Sequence, residues 1–181
     1  MATLDARDGT AGRTAPRIGS MLLTAALCAV ATLGGCAPMQ TFPATEGRPI
    51  FDPGLPPLPE MMALAIDAGH ERSSIADQPI VFNLPEGARK PVWDAVWRRL
   101  PEGSFWANPD SIEVISVEQV RLDGSRGQVD VLVPQGQHWQ LFTVHMDGGG
   151  LAPWKIRVVQ PWTIRTSPPA INVPYTPVAG N

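Results

Sequence analysis

VRLDGSRGQVDVLV, residues 120–133, is the stretch on which the fold turns. Val120 and Leu122 alternate with polar neighbours, Asp123-Gly124-Ser125-Arg126-Gly127 supplies a break, and Val129, Val131 and Val133 alternate on the return. A period of two around a Gly- and Asp-rich break predicts a β-hairpin, because successive side chains of a strand leave opposite faces. Working backwards, Ile112 and Val114 continue the parity of Val120 and Leu122. Working forwards, Pro134-Gln135-Gly136 turns the chain, residues 138–146 read as a third strand, and Asp147-Gly148-Gly149-Gly150 is a further turn. Trp154, Ile156, Val158, Trp162 and Ile164 then mark one face of a fourth strand, which completes an antiparallel meander.

Upstream the period is 3.6. Pro91 suits a first helical turn, and Trp93, Val96, Trp97 and Leu100 recur at i, i+3, i+4 and i+7. Asp94, Arg98 and Arg99 lie off that stripe, and Pro101 with Gly103 ends it. Residues 60–71, EMMALAIDAGHE, predict a second helix that stops near Gly69, with Met61, Leu64, Ala65 and Ala68 at helical spacing. Ile80-Val81-Phe82 is a short apolar run that suits an edge strand or an extended pad. A sheet with one apolar face must be covered, so the expected fold is α+β: two helices packed on one face of a four-stranded antiparallel meander. No repeat recurs at a fixed period.

Proline and glycine divide the rest of the chain. Of 181 residues 20 are Pro and 17 are Gly, and they crowd the two ends. Four segments result: a leader over 1–35, a Pro-rich tether over 36–59, the α+β domain over 60–165 and a Pro-rich C-terminal tail over 166–181. Proline favours extended stretches of about 3.1 Å per residue, which suits a spacer, although either Pro-rich segment could instead be a partner's ligand. The formal charge is −3, and no basic group larger than Arg89-Lys90 or Arg98-Arg99 occurs. A nucleic-acid binder needs a stripe that neutralises several phosphates, so no nucleic acid is expected as a partner.

The leader has the layout of an export signal. Arg13 and Arg17 precede an uncharged stretch, 20–35, whose apolar part is shorter than the roughly 20 residues that span a bilayer. It ends in Leu33-Gly34-Gly35-Cys36, which resembles the lipobox of bacterial lipoproteins. The resemblance implies that Leu33, Gly34 and Gly35 are recognised by a dedicated signal peptidase and that Cys36 is acylated, palmitate included, and becomes the first mature residue. Cys28 would leave with the signal. Two or three acyl chains hold a protein at a bilayer durably, where one chain gives only reversible binding. Ala37 stands where the family's retention rule would place aspartate, so the resemblance favours the periplasmic face of the outer membrane over the inner membrane. The acylated Cys36 makes the lipid bilayer one expected partner, and an envelope protein is the other.

Little in the sequence points to catalysis, and no catalytic residue, cofactor or metal site is assigned. His138 and His145 are seven apart on one predicted strand and should face opposite ways. Ser73, Ser74 and Ser104 have no nucleophile elbow around them, and Gly148-Gly149-Gly150 lacks the phosphate-binding pattern. Trp93, Trp97, Trp139 and Trp154 are the candidate ligand or partner surface. The leading expectation is a non-catalytic binding or envelope-structural lipoprotein, similar in layout to small outer-membrane assembly lipoproteins. The alternative is a small-ligand or enzymatic domain with a pocket between sheet and helices, similar in outline to cone-shaped nuclear-transport-factor-like folds.

Overall fold

The computed structural model describes residues 39–45 and 52–174. Leu33, Gly34, Gly35 and Cys36, with the leader before them, lie outside the described residues, as do 46–51 and 175–181. Seven strands are present: β1 (Gln40–Phe42), β2 (Val81–Asn83), β3 (Phe105–Trp106), β4 (Ile115–Asp123), β5 (Arg126–Gln135), β6 (His138–Gly149) and β7 (Ala152–Thr166). Two helices occur among the described residues, α1 (Leu58–His70) and α2 (Lys90–Trp97).

The expectation of a four-stranded antiparallel meander is corrected here: the strands form one seven-stranded mixed sheet, and the fold is mostly β. β4, β5, β6 and β7 pair antiparallel in chain order. To their side, β2 runs parallel to β4 and β3 parallel to β2, while β1 pairs antiparallel with the other end of β4. The run Ile80-Val81-Phe82 therefore feeds an internal strand, not an edge. β1, β2 and β3 have three, three and two residues, too few to show a period. They exist because non-local backbone groups meet: Phe105 N donates to Ile80 O at 2.9 Å and Ala107 N to Phe82 O at 2.7 Å.

Both helices lie on one side of the sheet. Glycine at position 69 lets α1 approach closely, since a methyl group there would stand 3.1 Å from Val133 Cγ2 and 3.5 Å from Ile115 and Val131. Met61, Met62, Ile66, Val129, Val131 and Val133 are buried between the layers, and α2 adds Trp93, whose ring lies 5.8 Å from that of Phe82. Burying such side chains contributes roughly 1.5–3 kcal/mol each before chain entropy is set against it.

Bulges re-aim residues that a strict alternation would keep together. The β4 register shifts between Val117 and Gln119, so Ile115 and Val117 face the helices with Val120, while Val114 joins a second cluster with Ala107, Leu132 and Trp139. Ile112 is exposed in the loop before β4. Register shifts along β7 likewise bury Trp154 beneath α1 and leave Val158, Trp162 and Ile164 exposed.

Two segments assigned by composition to tether and tail belong to the domain. Phe42 is buried in the main core, so β1 joins the sheet inside the stretch read as a tether. At the other end, the buried Asn83 donates to Ser116 Oγ at 2.8 Å and Ala170 O at 3.0 Å and accepts from Asn172 N at 2.9 Å. Asn172 Nδ2 donates to Leu84 O at 2.9 Å, and Ile171 packs on the second cluster. Composition misses such pinning because one buried amide can satisfy backbone groups of an otherwise irregular segment.

Candidate functional site

The four tryptophans singled out from sequence do not converge. Trp93 is 0% exposed, with its indole N–H donated to Ala88 O at 3.1 Å. Trp154 is buried against α1, and Trp139 is buried on the opposite face of the sheet. Trp97 alone of the four is exposed, at 47%, because α2 ends there and the stripe turns past the edge of the core.

Around Trp97 the chain builds an aromatic cleft. Arg89 is extended, Pro91 sits in the first turn, and α2 runs from Lys90 to Trp97. A turn through Pro101 and Gly103, whose φ of 86° suits glycine, returns the chain into β3. Trp97 Nε1 donates to Ser104 O at 2.7 Å, and the Ser104 hydroxyl donates to Pro101 O at 2.6 Å, so the return is fixed at both ends. Trp106 then meets Trp97 edge-on, with ring centroids 6.1 Å apart. Phe105 completes the wall and is 54% exposed. The cleft has a volume of about 280 Å³ and is lined by Trp97, Ser104, Phe105 and Trp106.

Its charge is local and held. Lys90 Nζ contacts both carboxylate oxygens of Asp94, at 2.9 and 2.8 Å, and stands 5.4 Å from the centre of the Trp106 ring. A cation over an indole face is attracted by the ring quadrupole, so Lys90 braces Trp106 as well as charging the rim. Such a cleft suits one or two apolar side chains of an extended segment, since aromatic-lined grooves accept preformed polyproline II strands at little entropic cost. Phe105 and Trp106 were missed from sequence. Their signal was the Phe-Trp pair just after the Pro-Glu-Gly turn that follows Trp97.

The other polar cluster satisfies itself. On the sheet face away from the helices, Arg121 donates to Asp130 Oδ2 at 2.7 Å and Oδ1 at 2.6 Å, and also to Gln128 and Gln119. Trp162 Nε1 donates to Thr143 Oγ1 at 2.9 Å, and Thr143 donates to Asp130 at 2.6 Å. Partial burial raises the Glu118 carboxyl above its ordinary value, opposed by a hydrogen bond with Ser116 and assisted by repulsion from Asp130. Asp67 on α1 is raised mainly by burial, then by repulsion from Glu71, with His70 opposing.

His138 and His145 pair with Gln135 and Gln128 on a continuous stretch of the β5–β6 ladder, so they face opposite sides, as their spacing predicts. His70 Nε2 is buried without a hydrogen-bond partner. Among the described residues no three His, Cys, Asp or Glu side chains are placed to hold a metal ion, and no helix is long and apolar enough to cross a membrane. Ser73 Oγ donates to His70 O at 2.7 Å just past the end of α1, whereas Ser74 supports the β5–β6 turn, its Oγ donating to Pro134 O at 3.2 Å and accepting from Gly136 N at 3.0 Å. No family model, no curated protein and no solved structure matches the chain.

Proposed function

We propose that the chain is a lipid-anchored, non-catalytic binding module of the bacterial cell envelope that grips an extended apolar segment of an envelope protein in the Trp97–Phe105–Trp106 cleft. The observation that carries this reading is the exposure of Trp97 and Phe105 beside Trp106 in one hollow on a helix-to-strand return, whereas Phe42, Phe82, Trp93, Trp139, Phe142 and Trp154 are buried and the other exposed ring among the described residues, Trp162, donates its indole N–H to Thr143 on the sheet face. Exposed aromatic anchors in a hollow supply most of the energy at protein interfaces. The Leu33-Gly34-Gly35-Cys36 motif supports the anchoring half, with the periplasmic face of the outer membrane as the favoured location. A ligand pocket between sheet and helices is not favoured, because Met61, Ile66, Trp93 and Phe82 fill that space.

The test is a photo-reactive amino acid placed at Phe105 in the native chain, in cells. Discrete cross-linked products that disappear when Trp106→Ala is added, and that a probe at Gln137 does not form, support the cleft. The same products from both probe positions refute it.

A further inference from the structure

The tip of the β6–β7 hairpin carries a leucine where turn chemistry ordinarily places a polar residue. Gly149 is registered with Ala152, Gly150 takes a φ of 63°, and Leu151 beside it is fully exposed, at 107%. One exposed leucine needs no explanation, but this one has company. Leu55, in the turn before α1, is 55% exposed, and the next residues of that turn, Pro56 and Pro57, line a hollow with Leu122, Gly149, Gly150 and Ala152. Two exposed leucines thus stand at one end of the sheet.

That is also the end at which the chain enters. Gln40 of β1 is registered with Leu122, beside the β4–β5 tip. Cys36 precedes Gln40 by four residues, which can reach at most about 14 Å. An acylated Cys36 would therefore hold this end, and not the other, at the bilayer surface. The exposed charges nearby are of mixed sign: Asp123 and Asp147 against Arg126 and Lys155, with Arg157 paired to Asp147 at 3.7 Å. Attraction to anionic headgroups is not built in, so any contact with lipid has to be apolar.

We infer that this end of the sheet is a membrane-contacting face, in which Leu151 and Leu55 enter the interfacial layer of the bilayer that anchors the protein. The inference rests on the acylation of Cys36. Its consequence for the cleft is geometric. β2 registers with β4 at Ile115 whereas β1 registers at Leu122, and β3 extends from β2, so the cleft lies about 20 Å along the strands from the contacting end. The bilayer would hold one end while the opposite end is presented to the partner.

The experiment uses the mature lipidated protein, in which an acylated Cys36 leaves no other thiol. Leu151→Cys, Leu55→Cys and Gln137→Cys variants are each labelled with an environment-sensitive fluorophore and reconstituted into phosphatidylethanolamine/phosphatidylglycerol vesicles that contain a lipid-borne quencher. Gln137 lies in the β5–β6 turn, at the far end. Residues buried at the interface sit about 5–10 Å into the headgroup region, so labels at 151 and 55 should be quenched about twofold or more and the label at 137 hardly at all. Pure phosphatidylcholine vesicles should give the same pattern, because the contact is apolar. Equal responses at 151, 55 and 137 in a chain whose acyl mass is confirmed by mass spectrometry overturn the contact alone. A mature chain without acyl mass overturns both the contact and the anchoring on which it rests.

Discussion

Replacing Asp130 by alanine should destabilise the domain by about 2–3 kcal/mol, well above what an ordinary surface ion pair is worth. Its carboxylate accepts two guanidinium bonds from Arg121, at 2.7 and 2.6 Å, and one from Thr143 at 2.6 Å, with the paired side chains 19% and 15% exposed. Charge-assisted bonds are worth roughly 1.5–3 kcal/mol each when broken singly. The sum is reduced because Arg121 keeps Gln119 at 2.8 Å and Gln128 at 3.0 Å, and because some water reaches the pair. Arg121→Ala should cost a similar amount, and a double-mutant cycle should return a coupling of about 1–2 kcal/mol. For a domain of this size the Asp130→Ala loss lowers the melting temperature by roughly 6–10 °C. Urea unfolding of the wild type, both single variants and the double variant at low and high salt measures the coupling. A coupling below about 0.3 kcal/mol, or one abolished by salt, would show that the pair behaves as an exposed one and refute the reasoning.

Three further outcomes are expected. Gly148→Ala should cost about 1–3 kcal/mol, because the added methyl would stand 2.7 Å from Trp154 Cα and 2.7 Å from its ring, where backbone cannot yield; an unchanged urea midpoint would contradict this. Glu118→Gln should stabilise the protein only slightly at pH 7: desolvation of part of the side chain raises the carboxyl, so stability falls as pH rises above the unfolded value of about 4.3, but Glu118 is solvent-exposed on β4 and water screens most of the effect. The advantage should vanish below pH 4, and thermal melts that differ equally at both pH values would count against it. Phe105→Ala, on an exposed ring, should leave the melting temperature nearly unchanged while abolishing cross-links from a probe at the exposed Glu102 of the same return; cross-linking that persists would move the binding surface elsewhere.

Periodicity carried a great deal of this fold. Val129, Val131 and Val133 alternate because each faces α1, and Trp93 and Val96 recur at helical spacing because they sink into the same layer. Their order in the chain was enough, since a hairpin and a helix are local structures whose side-chain repeat is written in consecutive residues. Trp97 obeys the same helical spacing and yet stands 47% exposed, because the stripe continues past the point where the core ends. No local pattern records where a core stops.

The sequence by itself determined the β4–β7 strand order, the two helices and the Leu33-Gly34-Gly35-Cys36 motif. Tertiary structure alone decided that β1, β2 and β3 join the sheet, that bulges at Glu118 and along β7 re-aim Val114 and Trp162, and that Phe105 and Trp106 close on Trp97. The physical reason is separation along the chain. Strands of two or three residues gain nothing from their own side-chain repeat and are held by partners tens of residues away, so their existence depends on a sheet edge that no neighbouring residue encodes.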